Sequence, residues 1–122
     1  MDWNNQKLIN QISKLGLNIL FICSRNKWRS LTAETIFKRH QHHTIRSAGT
    51  SKEARVKVSE KLILWADLIF VMEKKHKEIL EQKFSQSISE KEIVILNIED
   101  LYQYMDEELI EILKKSTEHY LD

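Results

Sequence analysis

The sequence predicts an α/β fold: a four-stranded parallel sheet with helices on both faces. Three observations carry the prediction. Ile19 to Ile22, Leu68 to Met72 and Ile93 to Leu96 are continuous apolar runs of strand length without polar alternation, the pattern of strands covered on both sides. Segments with apolar residues at helical spacing separate them. Strand and helix alternate along the chain, an order that favours parallel pairing.

Leu8, Ile9, Ile12 and Leu15 recur at helical spacing and are followed by Gly16, a residue suited to a helix C-terminus. Residues 1–16 therefore read as a helical extension packed on a single domain at 17–122. After the first strand come five mostly polar residues beyond Cys23, and a helix starts at Arg29. Leu31, Ala33, Ile36 and Phe37 form its inward face, while Thr32, Glu34, Thr35 and Lys38 fall largely elsewhere. His40 and His43 have the i, i+3 spacing of a ligand pair but no acidic or sulfur partner, so a solvated helix end is expected rather than a metal site. Thr44 to Ala48 reads as a second strand broken by Gly49.

Residues 51–57 are polar and basic, a loop composition. Ser59 can open a helix through Leu62, Ile63 and Trp65 before the strand at Leu68. A charged helix follows from Glu73 to about Phe84, with Ile79, Leu80 and Phe84 inward. Ser85 to Glu90 has loop composition and leads to the fourth strand. Asp106, with Glu107 and Glu108 behind it, caps a last helix whose inward residues are Leu109, Ile112, Leu113 and Tyr120.

With 122 residues, the chain is large enough for one core. Its 19 basic and 18 acidic residues nearly cancel, which gives no global electrostatic reason to expect nucleic acid or a membrane surface as partner. The N-terminus lacks a basic segment followed by an apolar core, and no apolar run approaches about eighteen residues, so neither secretion nor a membrane span is expected. A single cysteine excludes an intramolecular disulfide and any multi-cysteine metal site, and suits a reducing cytoplasm.

The chemistry concentrates in Asn18 to Phe37. A strand, a tight loop and a helix in that order bring the loop amides and the positive end of the helix dipole to one point, which favours anions. Cys23 opens the loop and Arg29 closes it, a C-x5-R spacing followed by Ser30. A thiol there should ionise readily and act as a nucleophile. Arg29 offers a planar fork that matches two phosphate oxygens, and Ser30 can donate a hydrogen bond to the sulfur. Asp100 lies beyond the end of the fourth strand, and in parallel sheets ligands bind outside such ends.

Cys23, Asn26, Arg29 and Ser30 within CSRNKWRS, followed by Ala33-Glu34, resemble the signature loop of the low-molecular-weight protein tyrosine phosphatases. Ser47-Ala48-Gly49-Thr50, Ala66-Asp67-Leu68-Ile69 through Met72, and the Asp-x-Tyr of Asp100 to Tyr102 follow in the family's order, so the resemblance spans about residues 18–113. It implies the phosphotyrosine phosphatase I-like fold and a cysteine-dependent phosphomonoesterase without cofactor or metal. Its substrate would be a phosphorylated protein or a small aryl phosphate. Cys23 would be the nucleophile, Arg29 the phosphate clamp and Asp100 the general acid, with Glu99 its adjacent alternative. Ser24, Arg25, Asn26, Lys27, Trp28 and Ser30 would form the substrate-binding loop, and Tyr102 would wall the substrate slot.

The sequence departs from the family pattern at several positions. Leu101 replaces the Pro of the acid loop, which removes a backbone restraint. Trp28 stands where many members carry a second cysteine before the signature Arg, Leu31 where a Pro is frequent, and the segment from Gly49 to Ala66 is short. Two other activities are compatible with the loop: phosphate or phosphopeptide binding with little turnover, and arsenate reduction. The latter would need an outside thiol, because no resolving cysteine is present.

Overall fold

A computed structural model describes residues 16–40 and 42–121. The helix expected over residues 5–15 lies outside the described residues. The order of elements is β1 (Asn18–Cys23), α1 (Arg29–Phe37), β2 (Thr44–Gly49), α2 (Glu60–Trp65), β3 (Leu68–Val71), α3 (Lys74–Lys83), β4 (Glu92–Ile95) and α4 (Glu107–Leu121). The strands form one sheet in the order β2-β1-β3-β4, and every pairing is parallel. The expected fold class holds.

Ile19 to Cys23 of β1 are all buried, which explains their unbroken apolar run: the strand has neighbours on both sides and helices on both faces. Ile19, Phe21 and Cys23 join Phe70, Met72 and the inward residues of α4, Leu109 and Leu113, in one cluster. Phe21 stacks between Phe37 and Phe70 at ring separations of 5.8 and 5.0 Å. Leu20 and Ile22 face the other way and join Ile69, Val71, Ile63 of α2 and Leu80 of α3. The outer strand β2 instead alternates, with Ile45 and Ser47 buried and Thr44 and Arg46 exposed.

Helix starts follow their sequence signals. Ser59 accepts a hydrogen bond from Leu62 N, and Asp106 Oδ1 accepts from Glu108 N and Leu109 N. Other expectations change. Gly49 does not break β2 but is its last residue, paired with Cys23. Thr32 is buried rather than outward, because its hydroxyl accepts the N–H of Met105 at 2.9 Å. His43 is not part of a solvated helix end: it is buried after α1 has finished, accepts the N–H of Leu17 at 3.2 Å and stacks on His40. The fourth strand starts one residue earlier than its apolar run.

The chain leaves β1 toward β2 at one edge, then crosses back over β1 to β3. Successive connections therefore diverge between β1 and β3, and a crevice opens beyond the carboxyl ends of those strands. Cys23 is the last residue of β1, while Met72 and Glu73 directly follow β3.

Candidate active site

The loop between Cys23 and Arg29 is shaped from outside by the segment that follows β2. Thr50 N donates to Cys23 O (3.0 Å), Ser51 N to Ser24 O (2.9 Å), Arg55 N to Arg25 O (3.0 Å) and Arg55 Nε to Asn26 O (3.3 Å). Four consecutive carbonyls are thus held on the outer side, which leaves the loop amides to the interior. Asn26 N points at the Cys23 sulfur, 3.3 Å away. Asn26 has φ +56°, a left-handed conformation that Asn tolerates better than most residues. The close approach of the two segments requires Gly49, where a Cβ would stand 2.4 Å from Ser24 O and 2.9 Å from Asn26 N.

Beneath the loop, polar side chains form a hydrogen-bonded chain that runs from Glu34 to Cys23. Ser47 Oγ donates to Glu34 Oε1 at 2.7 Å, so it accepts from Asn26 Nδ2 at 2.8 Å. The other hydrogen of Nδ2 goes to Ser30 Oγ, also at 2.8 Å. Ser30 Oγ lies 2.9 Å from Cys23 Sγ, a contact in which either atom can donate, and 3.3 Å from Ala48 O, which can only accept. Once the thiol is ionised, only Ser30 can donate in that pair, and its hydroxyl then stabilises the thiolate.

Arg29 starts α1 and is 2% exposed. Its Nη1 donates to Glu73 Oε2 at 2.5 Å and to Ile98 O at 2.7 Å, while its Nε lies 3.6 Å from Asp100 Oδ1. Desolvation alone would raise the Glu73 pKa, but the hydrogen bond and charge of Arg29, with Lys75 and His76, hold it below the usual carboxylate value. His76 is fully buried and its pKa is lowered to about 4, first by desolvation and next by the Arg29 charge. Its ring is therefore neutral near pH 7. Because Nδ1 accepts the N–H of Glu73 at 3.0 Å, Nε2 carries the proton and donates to Ser24 Oγ at 2.9 Å.

Beside these groups lies a cavity of about 220 Å³. Cys23 and Arg29 line its buried part, Ser24, Arg25, Lys27 and Trp28 its loop side, and Asp100 the opposite rim. Asn26 and Ser30 lie buried below the loop and act on it through the polar chain. Tyr102 is half-buried against the hydrophobic cluster shared by the sheet and α4 and is not among the residues lining the cavity, nor is Glu99. Sequence reasoning missed Glu73, His76 and Arg55. Glu73 carried a usable signal, since it directly follows β3 and carboxyl strand ends border the crevice. His76 and Arg55 carried none, because Ser24 and the loop carbonyls that they meet lie far away in sequence.

A sheet with this switch point, a cysteine at its carboxyl edge and an arginine-ended loop above a helix start define an α/β protein with a candidate anion-binding site. The family model for low molecular weight phosphotyrosine protein phosphatase matches residues 18–64, the stretch from β1 through all but the last residue of α2. By fold, the chain is similar to Vibrio vulnificus Wzb in complex with benzylphosphonate (TM-score 0.71, 20% identity, 86% of this chain and 97% of that one). It is also similar to the tyrosine phosphatase Wzb from Escherichia coli K30 in complex with phosphate (TM-score 0.69, 20% identity, 88% and 97%). A third similar structure is the YwlE arginine phosphatase from Geobacillus stearothermophilus (TM-score 0.57, 18% identity, 86% and 86%). No curated protein sequence matches. The resemblance read from the signature loop is borne out: the chain has the low-molecular-weight tyrosine phosphatase fold and, over residues 18–64, that family's sequence pattern.

Proposed function

We propose that the protein is a cysteine-dependent phosphomonoesterase that acts on phosphotyrosine or another aryl phosphate through a phosphocysteine intermediate. The Cys23 sulfur attacks phosphorus and the bond to the aryl oxygen breaks, while Asp100 gives its proton to that oxygen. Asp100, now a carboxylate, takes a proton from water as the water attacks the thiophosphate. Orthophosphate leaves and the thiolate is restored. Arg29 and the loop amides hold the equatorial oxygens throughout, and strengthen as charge gathers there. The observation that supports this reading best is the Glu34–Ser47–Asn26–Ser30 chain, which ends in a hydroxyl 2.9 Å from the Cys23 sulfur, placed to donate to its thiolate.

A phosphopeptide-binding module with little turnover is the second reading. It is favoured by Leu101, which replaces a rigid residue beside Asp100 and is 72% exposed. Among the described residues no helix is long and apolar enough to cross a membrane. We place the protein in a reducing cytoplasm, because a lone thiol nucleophile is otherwise exposed to irreversible oxidation.

Hydrolysis of p-nitrophenyl phosphate in the presence of chelator tests the assignment. We expect turnover, inhibition by vanadate, loss of activity in Cys23→Ser and a fall of about 10²-fold or more in Arg29→Lys. Undiminished turnover in Cys23→Ser would overturn it. Tight phosphate binding with turnover no faster than in that variant would favour the binding module.

A further inference from the structure

We propose that the phosphate cavity continues into a second anion subsite formed by Arg25, Lys27 and Arg55, which selects phosphotyrosyl segments with carboxylate side chains beside the phosphorylated residue. The inference rests on the phosphotyrosine reading given above. A second depression, lined by Arg25, Lys27, Glu53 and Arg55, adjoins the first and shares Arg25 and Lys27 with it. An extended segment with its phosphate above Cys23 would therefore lay its neighbouring residues over these cations.

Arg55 differs from an ordinary surface cation. Its N–H and its Nε both bond to carbonyls of the phosphate loop, so the base of its guanidinium is placed by the same contacts that shape that loop. Among the described residues neither terminal nitrogen of Arg55 has a hydrogen bond or ion pair, and both remain to fork around a carboxylate. The one acid in the depression, Glu53, lies 3.8 Å from Arg25, with both side chains largely exposed. Such a pair is worth little, and a substrate carboxylate can replace it. Across the cavity the rim reverses sign at the exposed Asp100, which Glu99, also exposed, directly precedes in the chain. A flanking acid is therefore attracted to one side and repelled from the other, which also sets the direction in which the segment lies.

The test compares a phosphotyrosyl peptide carrying two flanking Glu with the same peptide carrying Gln. Both kcat/KM for the active protein and Kd for the Cys23→Ser protein are read, so the subsite is tested whether or not turnover occurs. At low salt we expect the Glu peptide to be favoured about three- to tenfold, chiefly through KM, with the preference shrinking as salt rises. Glu53→Gln, which leaves the loop bonds untouched, should widen the preference, and Arg55→Glu should abolish or reverse it. Equal Kd and kcat/KM for the two peptides, or a preference that survives Arg55→Glu, would overturn the subsite. If p-nitrophenyl phosphate is turned over and the peptides are not distinguished, the phosphatase reading stands without the subsite. If the Glu peptide binds preferentially but nothing is hydrolysed, the subsite stands and the catalytic reading fails.

Discussion

Gly49→Ala should disable the phosphate loop although residue 49 is not one of the cavity-lining residues. The added methyl would lie 2.4 Å from Ser24 O, 2.7 Å from Ala54 Cβ and 2.9 Å from Asn26 N, whereas ordinary contact begins near 3.4 Å. Ser24 O must therefore retreat by about 1 Å, the difference between 3.4 and 2.4 Å, or β2 must move by the same amount. Neither shift is free, because Ser24 O is held by Ser51 N at 2.9 Å and Gly49 N and O are bonded to Val56 O and Val58 N. Overpacking of this kind costs about 1–3 kcal/mol. For a domain of this size that is a fall in Tm of roughly 4–12 °C, at about 4 °C per kcal/mol. A displacement near 1 Å next to the nucleophile should lower kcat/KM about 10²-fold. The assay is p-nitrophenyl phosphate kinetics with vanadate affinity, alongside thermal unfolding followed by circular dichroism. Adding Ala54→Gly removes one of the three clashes, so it should restore part of the stability but little of the activity. A Gly49→Ala protein with unchanged kcat/KM and vanadate affinity would refute the argument that this contact shapes the loop.

Two further outcomes follow from the same geometry. Asp100→Asn should slow hydrolysis of phenyl phosphate, a poor leaving group, more than that of p-nitrophenyl phosphate; equal losses in kcat would count against its role as proton donor. His76 has a folded pKa of about 4 against 6.5 for the free side chain, so between pH 6.5 and 4 the unfolded chain binds a proton that the folded chain refuses. Stability should fall as pH drops through that window and level off below it as far as this residue is concerned. Glu73, whose folded pKa is lowered, adds a further loss below 4.5. His43, lowered by desolvation and by His40 and His42, contributes a slope of the same sign. Urea unfolding of His76→Gln at pH 7, 5 and 4 should show a shallower decline than the parent, and an identical decline would contradict the assignment of His76 as buried and neutral.

The fold was legible because its signals are local. Ile19 to Ile22 and Leu68 to Val71 are apolar on both sides of the strand, which only a sheet covered on both faces accommodates, and Ser59 and Asp106 announce their helices within three residues. The core of the candidate site was legible for the same reason. Cys23, Arg29 and Ser30 lie within eight consecutive residues, so their spacing along the chain is already their geometry. Asp100 could be placed only at the correct end of the sheet, and Tyr102, expected at the slot, packs against the hydrophobic cluster and is not among the residues lining the cavity.

What the sequence alone determined is thus the order of strands and helices along the chain, and it singled out the turn and the cysteine and arginine proposed to act there. What only the tertiary structure decided is how those groups are held. Glu73 and His76 reach Arg29 and Ser24 across 44 and 52 residues of chain, and Arg55 reaches Asn26 across 29. Gly49, which reads as a strand breaker, proves to be a point of contact. The physical reason is range: propensity and periodicity act over a few residues, whereas a hydrogen bond or a steric limit depends on distance in space, which the folded sheet alone sets.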